Sequence, residues 1–386
     1  MNDLKRSRVV IVALYIAFVA IGIAGTVIGP LFASLSDHFN LPLANSGVFT
    51  ALQYLGVTVM TIVAGRLLDR LNARYLLSGG AAILSAGLLL LAAAEVLPVA
   101  LLGALLLGMG YGVLAVSANV VMASLNPERA PAALNTLNFF YGVGAIIGPQ
   151  VVNFALSQRQ YTLAFIIPAL LGLILIIPFA TISVHVHAEN QSRQSGRRHW
   201  LPLLPFAILL FAYVGGEVGY GSWIFTQISK VALASAATAT FATSLFWAGL
   251  TVSRGLGAWI LRHLSESQVV ILCALIVMSG LILLLGLPTR PGIALLSAFV
   301  VGFGCGPIFP TVLGVVNHRY PEVRGTASGL LMAFGTFGAM ILPAIQGQVG
   351  AGQNGGMVVV LVAASVVLIA QFVIRAQIVP QRAYAK

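Results

Sequence analysis

The sequence predicts an all-α membrane protein with twelve transmembrane helices in two pseudo-symmetric six-helix bundles, and three observations carry that expectation. The first is composition: 59% of the 386 residues are hydrophobic and only 8% are charged, which excludes an ordinary soluble enzyme and a disordered chain. The second is segment length. A bilayer core of roughly 30 Å needs about 20 apolar residues in a helix, and on that ruler spans fall near 8–34, 43–64, 75–95, 98–124, 132–157, 161–183, 201–227, 235–260, 267–288, 292–317, 325–348 and 355–376. Membrane barrels would show short alternating segments instead. The third is an internal repeat of about half the chain's length.

In chain order, the first span opens behind Lys5, Arg6 and Arg8. Signal peptides share that pattern, but here the apolar run is too long for an h-region and leads directly into a second span. With the N-terminus inside, only Arg159, Lys230 and Arg290 of the 20 Lys and Arg residues fall outside. The positive-inside rule therefore places both termini in the cytoplasm, in a multi-pass protein of the cell's inner membrane. The net charge of +11 reports topology rather than a nucleic-acid partner, because the basic residues sit in short loops and not in one stripe.

The repeat fixes the domain organisation. Gly56-Val57-Thr58-Val59 matches Gly249-Leu250-Thr251-Val252 at a shift of 193, which also aligns Tyr54 with Trp247 and Gly22 with Gly215. At a shift of 194, Gly108, Gly110 and Gly112 fall on Gly302, Gly304 and Gly306, Gly144 on Gly338, and Pro149 on Pro343. The expected domains are an N-terminal bundle at 1–184, a linker at 185–200 and a C-terminal bundle at 201–386. The linker's Ser, Gln, Gly and Arg content cannot bury apolar surface, so it reads as a flexible cytoplasmic connection.

Enzyme chemistry finds little support. Cys273 and Cys305 are the only cysteines, and no CxxC or Cys/His cluster points to a disulfide framework or a metal. The six histidines lie in loops or at span ends. Gly108-Met109-Gly110-Tyr111-Gly112 follows no strand and contains no Lys, so it reads as close helix packing rather than a phosphate cradle. No Ser/His/Asp set, HExxH or carboxylate pair occurs at membrane depth, and no enzyme is expected.

Glu217 stands apart as the one acidic side chain read deep within a span. An ionised group there costs roughly 2.5–3.5 kcal/mol on insertion scales, which makes it a functional-site candidate. At helical spacing Tyr213, Glu217, Tyr220 and Ile224 share one face, and Gly216, Gly219 and Gly221 loosen the backbone around it. No basic residue lies plainly at the same depth; Arg254, near the inner end of the eighth span, comes nearest.

After the second span the chain reads Gly65-Arg66-Leu67-Leu68-Asp69-Arg70-Leu71-Asn72-Ala73-Arg74, which resembles the loop signature of the major facilitator superfamily, with Asn72 where a second glycine is usual. The resemblance implies that Asp69 and Arg70, following Gly65, clasp helix ends and bias the conformational equilibrium. The fifth span, with Gly148-Pro149, is similar to the family's glycine-and-proline motif. Its Asn138-Phe139-Phe140-Tyr141-Gly142 context, with Gly216-Glu217 and Tyr220-Gly221-Ser222-Trp223 in the seventh span, resembles the fucose/galactose/glucose–proton symporter branch and related glucose transporter-like proteins. Members of the fucose type carry acids in the first and fourth helices, whereas the matching spans here offer Tyr15, Tyr111, Ser117 and Asn119.

Substrate sites in such transporters lie near the midplane between the repeats. The candidate contacts are Gln53, Tyr54, Asn119, Asn138, Tyr220 and Trp247, because amides bond vicinal hydroxyls and aromatic faces cover the apolar side of a sugar ring. The expected function is proton-coupled symport of a small neutral solute, most readily a sugar, by alternating access, with Glu217 as the coupling carboxylate. Sodium is the alternative coupling ion. Proton-driven export of drugs or amphipathic metabolites is the second transport reading, and a non-transporting receptor the reading from another class. A small-molecule substrate and the lipid bilayer are the expected partners, and the chain is expected to act as a monomer.

Overall fold

The computed structural model describes residues 2–68, 70–125, 127–181, 201–350 and 354–383. Asp69 and the expected linker at 185–200 lie outside the described residues. The chain divides into two compact units, Met1–Glu189 and Asn190–Lys386. No strand occurs among the described residues.

In the first unit α1 (Asn2–Thr26) is followed by a single 3-10 turn at Gly29–Leu31 and by α2 (Phe32–His38), and the three together make the first span. Then come α3 (Gly47–Leu68), α4 (Ala73–Ala93), α5 (Leu97–Leu125), α6 (Ala130–Ser157) and α7 (Leu163–Ala180). Asn72 is the N-cap of α4, its side-chain oxygen accepting from the Arg74 backbone N–H at 3.1 Å. The residue that departs from the loop signature thus satisfies a helix-end donor that a glycine would leave to water.

The second unit holds α8 (Leu204–Lys230), α9 (Ala236–Ile260), α10 (Glu266–Gly286), α11 (Pro291–Cys305), α12 (Ile308–Arg319), α13 (Arg324–Gly350) and α14 (Gly355–Ala383). Ser265 starts α10 with a capping box completed by Gln268. Eleven described stretches are long and apolar enough to cross a membrane, with α11 and α12 together forming one of them. The twelfth span is α9, whose 25 residues are diluted by threonine, serine and Arg254.

The tenth span, expected near 292–317, is present but interrupted between α11 and α12. Pro307 and Pro310 explain the break, because each lacks the N–H that would bond the carbonyl four residues earlier. For Pro310 that carbonyl belongs to Gly306.

Glycine contacts reproduce the sequence repeat inside each unit. A Cβ on Gly56 would stand 2.7 Å from the Met109 nitrogen, and one on Gly249 would stand 2.8 Å from the Phe303 nitrogen. A Cβ on Gly112 would meet the Val57 oxygen at 2.7 Å, and one on Gly306 would meet the Leu250 oxygen at 2.6 Å. Real Cβ atoms do not approach that closely, so α3 with α5, and α9 with α11, touch backbone to backbone. Lipid supplies no hydrophobic force to hold helices together, and such close packing replaces it.

Candidate functional site

The site grows from α8. Glu217 and Tyr213 are one turn apart on the same helix face, and the Tyr213 hydroxyl donates to Glu217 Oε2. The same hydroxyl lies 2.9 Å from the carbonyl oxygen of Cys305, the last residue of α11. Only 11% of the Glu217 side chain is exposed.

From α9, Arg254 brings Nη2 to 3.8 Å from Glu217 Oε1, while its Nε donates to the Gly306 carbonyl at 3.4 Å. The expectation that Glu217 has no cation at its depth is therefore corrected. The reason is the backbone contact of α9 with α11 through Gly249 and Gly302, which sets the depth of Arg254 against the end of α11. At 3.8 Å an ion pair is worth about 4 kcal/mol in an effective dielectric of roughly 20. That attraction offsets much of the roughly 2.5–3.5 kcal/mol that each of the two charges costs at bilayer depth, so a paired Glu217 costs less there than a lone one. The separation is too long for a direct hydrogen bond, and the Arg254 side chain keeps 33% exposure.

Both partners of Glu217 therefore also hold the break in the tenth span. Beside the carboxylate is a cavity of about 20 Å³ lined by Tyr213, Gly216, Ala274, Cys305 and Ala364 among others. It has room for about one water and none for a sugar. The arrangement can bring a proton to a carboxylate; it cannot hold a solute there.

The remaining candidates divide by exposure. Tyr220 is fully buried, its hydroxyl 3.3 Å from Ser297 Oγ and its ring 5.0 Å from that of Phe246. Trp247 stands edge-on to the same Phe246 at 5.1 Å and is 6% exposed. The face shared by Tyr213, Tyr220 and Ile224 thus turns into the second unit's own interior, and Tyr220, a candidate solute contact, is enclosed there. Gln53 on α3 is also enclosed, with its backbone against Gly108 of α5.

Tyr54 on α3 and Asn119 on α5 are half-buried, and Asn138 on α6 is exposed. Each of the two amides spends one N–H on its own helix, Asn119 on Ala115 at 2.7 Å and Asn138 on Leu134 at 2.9 Å. Gly148 packs on Ile23 and Thr26 of α1, and Pro149 lies inside α6. Gly65 and Arg70 sit exposed at and just beyond the end of α3. Sequence reasoning noted Tyr213 and Arg254 but missed the Cys305 and Gly306 carbonyls that join them to the tenth span.

A family profile described as Major Facilitator Superfamily matches residues 14–343. "Bypass of stop codon protein 6" of Saccharomyces cerevisiae is 24% identical over 88% of this chain and 76% of its own length. "Sodium-dependent glucose transporter 1A" of Mus musculus is 21% identical over 86% of this chain and 88% of its own. "Glucose/galactose transporter" of Brucella abortus biovar 1 (strain 9-941) is 25% identical over 82% of each chain. Among solved structures, a point mutant of the nucleoside transporter NupG superposes with a TM-score of 0.77 at 18% identity, over 96% of this chain and all of that one.

Proposed function

The chain belongs to the major facilitator superfamily, and from that premise we propose that it is a secondary active transporter importing a neutral sugar by proton symport, with Glu217 as the coupling carboxylate. The observation that carries the proposal is the setting of Glu217. An ionisable group with 11% exposure is held between a hydroxyl and a guanidinium at a helix break. Protonation neutralises the acid and frees both partners, so one proton changes charge and geometry together.

Sugar as substrate is supported by relatives named as glucose and glucose/galactose transporters. It also suits a site whose half-buried positive charge is already balanced by Glu217, since an anionic solute would need an unbalanced cation. In this reading Tyr54, Asn119 and Asn138 meet the solute first, and Gln53, Tyr220 and Trp247 contribute only after a rearrangement. Asp69 and Arg70, with Gly65, Gly148 and Pro149, set the conformational equilibrium during alternating access. The transporter sits in the inner membrane with both termini cytoplasmic.

A second reading, sodium coupling, draws on the relatives named sodium-dependent. Sodium is a hard cation that seeks several oxygens, and the Glu217, Cys305 and Gly306 oxygens would offer some of them. Here they face a guanidinium and a hydroxyl proton instead, which favours the proton. Uptake of labelled D-glucose and D-galactose into proteoliposomes, under imposed proton or sodium gradients, tests both readings. Accumulation driven by the proton gradient alone is expected. Accumulation that needs sodium would replace the coupling ion, and export of cationic dyes without sugar uptake would replace the substrate class.

A further inference from the structure

We infer that Tyr213 and Arg254 are the positioning residues that carry the protonation state of Glu217 to the break in the tenth span. The inference rests on the reading of Glu217 as the coupling carboxylate. A phenol has one hydrogen to donate, and the Tyr213 oxygen has two acceptors within reach, Glu217 Oε2 and the Cys305 carbonyl at 2.9 Å. When Glu217 is ionised, the charge-assisted bond to the carboxylate is the stronger of the two. When Glu217 takes a proton, its new O–H donates to the Tyr213 oxygen, and the phenol hydrogen turns to Cys305.

Arg254 behaves in parallel. Its Nη2 faces the carboxylate at 3.8 Å and its Nε the Gly306 carbonyl at 3.4 Å. That carbonyl has no ladder donor from residue 310, which is proline. Once Glu217 is neutral, the Gly306 carbonyl, at the negative end of the α11 dipole, is still within reach of the guanidinium. Protonation therefore releases the phenol hydrogen to Cys305 and leaves the guanidinium to Gly306, the carbonyl its Nε already meets at 3.4 Å. α11 and α12 are held more tightly to α8 and α9 when Glu217 is protonated than when it is not.

The groups around Glu217 leave this chain of contacts in control. Among the described residues, the ionisable groups around Glu217 are Tyr213 and Tyr220 on its own helix, Arg254 on α9, Cys273 on α10 next to Cys305, and Cys305 on α11. α12 and α14 line the cavity with Ile308, Val360, Ala364 and Val367, and α13 meets α8 through Leu342 and Gln346. None of these can ionise. The first unit has no counterpart: at the shift of 193, Ala20, Ala24 and Thr61 stand where Tyr213, Glu217 and Arg254 stand in the second.

Hydrogen exchange of the full-length protein in nanodiscs, followed by mass spectrometry on peptides covering residues 303–312 and corrected for intrinsic rates, tests the inference. In the wild type, exchange there should slow about five- to tenfold as pH falls, the change expected from about one net hydrogen bond. Glu217→Gln should hold the slow level at every pH. Tyr213→Phe and Arg254→Lys, both conservative in shape, should each remove at least half of the pH response. A wild-type segment without a pH response, or a full response in both variants, would overturn the inference. D-glucose accumulation by Glu217→Gln, measured in parallel, separates the two ideas: its loss supports Glu217 as the coupling group even where the exchange data reject the clamp.

Discussion

Glu217 shares both of its partners with a neighbouring backbone, and that sharing gives a single residue control over charge and shape. Removing one member of the pair should therefore cost more than removing both. Arg254→Gln leaves the Glu217 carboxylate without its counter-charge, a loss below the roughly 3–5 kcal/mol of a fully buried pair, because Arg254 keeps 33% exposure. The double variant Arg254→Gln/Glu217→Gln should recover at least about 1 kcal/mol of that loss. Thermal unfolding in detergent at pH 8 measures the cycle, and a double variant less stable than Arg254→Gln alone would remove the pair from the account. Sequence spacing was enough to pair Tyr213 with Glu217, because four residues make about one helical turn. It was not enough for Arg254, whose depth depends on where α9 crosses α11. Tyr220 shows the same limit: helical period put it on the face of Glu217, but only packing shows that this face turns inward.

The tenth span is the element on which these contacts converge. Its break falls at Gly306-Pro307 and Pro310, which the reading by apolar length passed over, while the repeat matched its glycines to the close-packing run Gly108, Gly110 and Gly112. Gly306→Ala would place a methyl 2.6 Å from the Leu250 oxygen and 3.0 Å from the Arg254 nitrogen. Such overpacking costs about 1–3 kcal/mol, and it should also disturb the Arg254 contact. Gly314→Ala, on α12 with nothing within 4 Å of the added carbon, should be neutral or stabilising by up to about 1 kcal/mol through helix propensity. Melting temperatures of the two variants compare them directly; equal destabilisation would mean that the approach of α9 to α11 is not what Gly306 provides. α9 teaches a related lesson. It falls outside the stretches apolar enough to cross a membrane, because the polar residues that dilute it include the arginine the site requires.

At the scale of the whole molecule, the repeat and the apolar rhythm made the fold legible before any coordinates, since the half-length repeat keeps glycine contacts in register in both units. The asymmetry between the units was legible too, as a lone acid in one half. The charge bias predicts the orientation: in a background lacking Cys273 and Cys305, Glu128→Cys should label from the cytoplasm and Thr289→Cys from outside. The opposite pattern would invert the topology. The direct test of the central claim is the Glu217→Gln protein in proteoliposomes, which keeps the shape and hydrogen bonding of the protonated acid but cannot release a proton. It should still exchange labelled D-glucose or D-galactose at equal concentrations on both sides, while gradient-driven accumulation and the pH dependence of uptake disappear. A Glu217→Gln protein that still concentrates sugar in response to a proton gradient would contradict the account.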